Sequence, residues 1–182
     1  MDRFVPPYNR LIAAFVPFDQ LGSSNGKTPD RIALVAVSRQ FESKNISESD
    51  FKMIVQDVAK QFDTTAESYA NNNEEEFNQK LKALDLENVK VTFDKPISLG
   101  ALFSLPNAAG FGTILKVSAS NSVPSPAVES SSTKALSVLF VRLKNRVVFA
   151  YIFADYENRE TASWIRQASE DWCKAMLAVN AE

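Results

Sequence analysis

The chain has 182 residues, of which 45% are hydrophobic and 23% are charged, and its formal net charge is −2. These values suit one globular domain and exclude a disordered tail, a collagen-like repeat and a disulfide scaffold. The near balance of 20 basic and 22 acidic side chains argues against a nucleic-acid binder, which needs a basic excess. The chain has no histidine, which excludes Ser-His and Cys-His catalytic pairs and the commonest zinc ligand.

The sequence does not settle the cellular compartment. No stretch approaches the roughly 20 apolar residues that a transmembrane helix needs. The N-terminus lacks the basic-then-apolar plan of a signal peptide, and a single cysteine, Cys173, does not indicate the redox environment. We therefore expect a cytoplasmic protein if the chain is complete, and a periplasmic or secreted one if a leader has been removed.

Two short apolar runs near the N-terminus, residues 10–16 and 31–37, predict the first two strands. The polar segment between them resembles a phosphate-binding loop at residues 22–28. However, only three residues separate Gly22 from Gly26, and a strand follows where that motif requires a helix. We interpret the segment as a surface turn.

The hydrophobic period then changes to that of a helix. Apolar residues between 51 and 69 recur at helical spacing, and Ser47 or Ser49 can cap the helix. Three asparagines at residues 71–73 are expected to interrupt it. The three glutamates that follow, residues 74–76, are expected to form the solvated first turn of a second helical piece.

Five further strands are predicted in the second half of the chain. They cover residues 89–93, 97–105, 111–119, 135–143 and 147–154. Because short connections join them, they are expected to form an antiparallel meander. The exception is the Ser- and Pro-rich segment 120–133, which is predicted to be a mobile loop.

The last two predicted strands carry apolar residues at consecutive positions, which indicates that both of their faces are covered. Asn145 between them can adopt the left-handed conformation of a tight hairpin. A final helix, capped by Asn158, is expected to pack on the sheet through Trp164 and Trp172. The sequence thus predicts a single α+β domain over residues 1–182, a three-layer α/β/α sandwich with a central, mostly antiparallel sheet.

One candidate binding site lies at the predicted hairpin. Arg142, Lys144 and Arg146 recur at period two, so they could project from one face and bind an anion or an acidic partner. The alternative is a charged rim that keeps the end of the sheet soluble.

Catalytic candidates are few. Asp94, Asp155, Glu157 and Glu160 stand at strand ends or helix starts, but nothing in the sequence brings two of them together for acid–base catalysis. Cys173 has no histidine to activate it, and we interpret it as a small buried hydrophobic residue. The Gly-Phe-Gly sequence at residues 110–112 is half of a dinucleotide fingerprint and fits a turn entering a strand. The sequence therefore predicts no catalytic residue, no metal ligand and no cofactor.

The last third of the chain resembles a known strand–turn–strand–helix ending, carried by residues 137–153 and by Trp164, Asp171 and Trp172. This ending is similar to that of the fold shared by PsbP, the extrinsic oxygen-evolving protein of photosystem II, and the Ran-binding import protein Mog. Small bacterial, often exported proteins look similar too. The resemblance is one of architecture over roughly residues 10–180 and transfers no functional residue. It implies a non-catalytic binding or assembly protein.

We therefore expect a non-enzymatic binding or assembly module that contacts a protein or envelope partner through a sheet edge, the hairpin tip or the 120–133 loop. A first alternative is a carrier of a small apolar ligand, with a cavity between a helix layer and the sheet that some of the 13 phenylalanines could line. A second alternative is a histidine-free hydrolase that uses carboxylates. The sequence sets neither the identity of the partner nor the oligomeric state.

Overall fold

The computed structural model describes residues 9–20, 29–83, 88–121 and 130–181. The candidate phosphate loop at residues 22–28 lies outside them. The described elements are strands β1 (Asn9–Phe15), β2 (Arg31–Ser38), β3 (Val89–Phe93), β4 (Ile97–Leu105), β5 (Ala108–Asn121), β6 (Ser130–Leu143) and β7 (Arg146–Asp155), helices α1 (Glu48–Lys82) and α2 (Arg159–Val179), and a 3-10 turn at Phe18–Gln20.

The seven described strands form one curled antiparallel sheet, in the order β1-β2-β7-β6-β5-β3, with β4 also paired to β5. Strands β4 to β7 form the predicted meander. The prediction is wrong for β3, which pairs with β5 and not with β4. β3 and β4 run end to end along one side of β5, separated at residues 94–96, where Pro96 has no backbone N–H to donate.

Helix α1 begins where the sequence predicted. Ser47 is its N-cap, and a reciprocal capping box joins the Ser47 hydroxyl to the backbone N–H of Asp50 and the Asp50 carboxylate to the backbone N–H of Ser47. The expected interruption at residues 71–73 is wrong, because α1 is one continuous helix of 35 residues. Tertiary contacts on both sides of the asparagines outweigh their weak helix propensity: Ala70 is buried, and Glu74 hydrogen-bonds to β3.

The segment 120–133 is not a loop throughout, which corrects the prediction. Residues 120–121 end β5 and pair with β3, while residues 130–133 begin β6 and pair with β5. Serine-rich composition indicated a loop, but exposed serines are compatible with a strand whose backbone groups are paired in the ladder. The remaining residues, 122–129, lie outside the described part of the chain.

The β6–β7 hairpin turns as predicted. Asn145 has a φ of 64° and Lys144 a φ of 45°, and two successive left-handed residues are characteristic of a type I′ turn. Arg146 already belongs to β7.

Both faces of β6 and β7 are buried, in agreement with their apolar sequences. Leu139 and Val141 join a cluster that includes Ile165 and Cys173 of α2. Phe140, between them, joins a different cluster that includes Phe51 and Phe62 of α1 together with Phe111. The fold is α+β with an antiparallel sheet, as the sequence predicted.

Helix α2 contacts the sheet through a narrow stripe. Asn158 caps it, accepting hydrogen bonds from the backbone N–H groups of Glu160 and Thr161. The fully buried side chains of α2 are Ile165, Ser169 and Cys173. Trp164 and Trp172 precede Ile165 and Cys173 by one residue each; they are half-buried and pack against the cluster that contains those two residues, in agreement with the prediction that the helix packs through its tryptophans. Neither described helix is long and apolar enough to cross a membrane.

Candidate functional site

The half-buried tryptophans of α2 line a cleft at the side of the sheet. Trp164, Ala168 and Trp172 are spaced four residues apart, so they lie along one flank of the helix. The cleft has a volume of about 450 Å³. On the sheet side it is lined by the end of β1 with Val16 and Pro17, the start of β2, and Ile152.

Phe15 forms one wall of this apolar cleft. Its ring meets the Trp172 ring edge to face, with the ring centroids 6.0 Å apart and the planes at 83°. Phe15 is nevertheless 51% exposed, and Ile12 on the same strand is 52% exposed. Phe18, directly after the cleft-lining Pro17, is 89% exposed. Exposed apolar side chains are therefore present in the cleft, on β1 and just beyond its end.

Arg31 lines the cleft together with Trp164. Its guanidinium carbon lies 4.5 Å from the centroid of the Trp164 ring, a cation–π distance. The same two residues also line a second, polar pocket of about 270 Å³. The cleft and the pocket thus adjoin at Arg31 and Trp164, and we call the two together the α2 groove.

The polar pocket is acidic. Four carboxylates line it, from Asp30, Asp155, Glu157 and Glu160. Asp155 is ion-paired with Lys134, and Asp30 accepts a hydrogen bond from Gln20. Within the described part of the chain, the carboxylates of Glu157 and Glu160 form no ion pair and no hydrogen bond. The structure thus brings together three of the four carboxylates considered from sequence, and it leaves out Asp94, which pairs with Lys116 at 3.4 Å.

Among the described residues, the two edges of the sheet differ in whether helix side chains bond to them. On α1, the Asn78 side-chain amide donates to the Val91 carbonyl at 2.7 Å and accepts from the Val91 N–H at 2.9 Å, while Glu74 accepts from the Phe93 N–H at 2.7 Å. On α2, Arg166 donates to the Leu102 carbonyl of β4 at 2.8 Å. These bonds occupy backbone groups of β3 and β4 that would otherwise be open to another chain.

β1 is outermost at the other side of the sheet and pairs only with β2 among the described strands. The outer side of Asn9–Phe15, which we call the β1 edge, therefore has no partner strand among the described residues; a register shift interrupts β1 between Leu11 and Ala13, and Phe15 at its end lines the α2 groove.

In the structure, the three cations of the predicted hairpin patch do not share one face. Strand register pairs Arg142 with Val147 and Leu143 with Arg146, so Arg142 and Arg146 lie on opposite faces of the hairpin. The expectation that the three cations share one face is therefore wrong, because Lys144 and Asn145 form the turn between the strands. Anion or partner binding here stays a prediction.

Arg142 is also engaged within the fold. It donates from Nε to the Ile46 carbonyl at 2.8 Å, from Nη1 to Asn107 Oδ1 at 2.7 Å and from Nη2 to Asn145 Oδ1 at 2.5 Å. The Lys144 and Arg146 side chains are exposed.

The structure also places the remaining candidates from the sequence, which are the cysteine and the Gly-Phe-Gly segment. Cys173 is completely buried, and burial raises the pKa of its thiol to about 12. Gly110 and Gly112 lie within β5 and not in a turn, where a Cβ on Gly110 would come within 2.4 Å of the Phe103 ring. Among the described residues, no three Cys, Asp or Glu side chains are grouped so that they could hold a metal ion.

Comparisons with protein-family models, curated proteins and solved structures found no match to this chain. Sequence reasoning missed the groove because Arg31 and Trp164 are 133 positions apart and meet only through the β2–β7 pairing. One signal was available: Trp164, Ala168 and Trp172 form a flank adjacent to, and separate from, the more deeply buried stripe.

Proposed function

We propose that this chain is a non-enzymatic binding module that holds a segment of a partner protein in the α2 groove, beside the β1 edge. The observation that carries the proposal is the position of an aromatic, apolar cleft directly next to an edge strand, β1, which pairs only with β2 among the described strands. Tryptophan and phenylalanine side chains that remain partly exposed are typical of protein interfaces. An edge strand supplies backbone hydrogen bonds to an extended segment.

Site-specific photo-crosslinking in the native host tests this proposal. Benzoylphenylalanine at Phe18, which is 89% exposed beside the cleft, keeps an aromatic side chain at the position. We expect it to cross-link to defined peptides of one partner protein, identified by mass spectrometry. Met53 on α1, 55% exposed, provides a matched control on another surface, from which that partner should not be captured. Equal capture of the same partner from Met53, or no partner link from Phe18, would contradict the proposal.

A second candidate function is a carrier of a small apolar ligand. The cleft volume of about 450 Å³ favours it, since small-molecule pockets typically span about 300–1,000 Å³. Native mass spectrometry of the chain purified from its own host distinguishes the two functions. A discrete additional mass, lost in the Trp172→Ala variant, would support the carrier. The carboxylate hydrolase stays a further alternative, and the acidic pocket supplies its candidate residues.

We also infer that the fold is the three-layer sandwich predicted from sequence, with α1 and α2 on opposite faces of the sheet. The alternation of Leu139, Phe140 and Val141 between two buried clusters supports this arrangement. The proposed likeness to the fold of PsbP and Mog is of this architectural kind. It agrees with a binding role and supplies no partner.

A further inference from the structure

Resting on the proposed function, we propose that the segment bound in the α2 groove carries a large apolar side chain and, three or four positions away, a lysine or arginine. The apolar side chain occupies the apolar cleft beside Ala168, and the cation occupies the acidic pocket. Shape and charge of the groove both lead to this assignment.

Carboxylates outnumber cations at the acidic pocket. Four carboxylates line it against one guanidinium, that of Arg31. Arg31 is held over the Trp164 ring at 4.5 Å, at the boundary with the apolar cleft. Lys134 pairs with Asp155, whereas Glu157 and Glu160 have no ion pair within the described residues. The pocket therefore presents negative charge to whatever enters the groove, and a cationic group complements it.

The dimensions of the groove set the spacing within the segment. Ala168 lies in the middle of the cleft flank, and Glu160 lies eight residues earlier on α2, about 12 Å away along the helix axis. An extended chain covers this distance in three or four residues at about 3.3 Å each. A protein segment is favoured over a small organic cation, because the β1 edge alongside the cleft offers backbone hydrogen bonds that an extended chain can use.

Fluorescence anisotropy with labelled synthetic peptides tests the assignment. Three decapeptide pools share a phenylalanine anchor and differ only at the fourth position after it, which is lysine, glutamine or glutamate. We expect the lysine pool to bind the intact protein at least about tenfold more tightly than the glutamine pool, and the glutamate pool to bind most weakly. The difference should diminish as salt is raised, because exposed charges are screened.

Variants of the protein locate the effect. The double substitution Glu157→Gln and Glu160→Gln should reduce the preference for lysine over glutamine to less than about threefold. Glu75→Gln, an exposed carboxylate on α1, is the matched control and should leave the preference unchanged. Thermal unfolding followed by circular dichroism verifies that all variants are folded.

The outcomes separate this inference from the proposed function. If the three pools bind equally and Phe15→Ala weakens all of them, the charge assignment is overturned and segment binding in the groove stands. If Glu75→Gln lowers the preference as much as the double substitution does, the acidic pocket is not the cation site. If no pool binds, the assignment is overturned, and cross-linking from position 18 decides the proposed function independently.

Discussion

Cys173 is a cysteine whose thiol is kept unreactive by its surroundings. Its thiol is completely buried on α2, in the cluster that contains Leu139 and Ile165. Burial raises the pKa of the thiol to about 12, because the thiolate would lose its hydration in apolar surroundings. The nucleophilic form is therefore suppressed at neutral pH, and the residue contributes to packing.

The pKa of Cys173 predicts how stability depends on pH. Between pH 9 and 12 the unfolded chain releases the thiol proton while the folded chain retains it, so the free energy of unfolding falls as pH rises. The contribution is about 1.4 kcal/mol per pH unit in this window. Relative to Cys173→Ala, the wild-type chain should lose about 1–2 kcal/mol between pH 9 and 10.5 in urea titrations. A difference between the two proteins that stays constant over this range would contradict the prediction.

The structural role of Arg142 could not be predicted from the residues near it in sequence. Alternating charge predicted a surface patch, because Arg142, Lys144 and Arg146 share a period of two. The three acceptors of the Arg142 guanidinium, on Ile46, Asn107 and Asn145, come from three different turns and loops. Two of them are distant in sequence, so no local pattern identifies the arginine as a structural cross-link.

At the scale of elements, the best example of a long-range contact is the one between α1 and β3. Asn78 reproduces with its side-chain amide the donor–acceptor pair of a neighbouring strand and binds Val91 on both sides. Glu74, one turn earlier, accepts from Phe93. The helix thus covers a sheet edge with side chains instead of another strand.

Asn78→Ala tests this arrangement. It removes both hydrogen bonds to Val91 and leaves a half-buried backbone N–H and carbonyl without these partners, so the free energy of unfolding should fall by about 1–3 kcal/mol. Asn71→Ala is the control, since Asn71 is exposed on the same helix. It should stabilise the protein by about 0.5 kcal/mol through helix propensity alone. Urea unfolding measures both values; equal effects of the two substitutions would show that the contact with β3 contributes nothing.

The boundaries of elements could be predicted where their signals are local. Ser47 and Asn158 cap the helices as expected, and Asn145 forms the left-handed turn. The continuity of α1 through residues 71–73 could not be predicted, because it depends on Ala70, Glu74 and their distant contacts. The pairing of β3 with β5 likewise depends on the full length of a 14-residue strand, which only the folded sheet defines.

At the scale of the whole molecule, the sequence predicts one domain, and this has a measurable consequence. The seven described strands share one sheet, and both helices contact that sheet. We expect tryptophan fluorescence, which reports on α2 through Trp164 and Trp172, and far-UV circular dichroism, dominated by α1, to give the same urea midpoint. Transitions that separate by more than about 0.5 M in urea would contradict a single cooperative unit.

The α2 groove is formed only when elements from distant parts of the chain come together. Its apolar half combines β1, β2, β7 and α2, and its acidic half adds the connection between β7 and α2. The sequence predicted aromatic packing beneath the last helix, and it identified Asp155, Glu157 and Glu160 as candidate catalytic carboxylates. It could not show that Arg31 would join them, because that contact requires the pairing of β2 with β7.

The pairing of β2 with β7 has a consequence for synthesis in the cell. Leu34 of β2 faces Tyr151 of β7, so one of the central pairings of the sheet joins the first fifth of the chain to its last fifth. While a ribosome is still making the middle of the chain, the hairpin of β1 and β2 has no neighbour for its apolar residues. Contacts this far apart in sequence slow folding and leave hydrophobic surface accessible. The growing chain must therefore wait, and be kept from associating with others, until β7 has been synthesised.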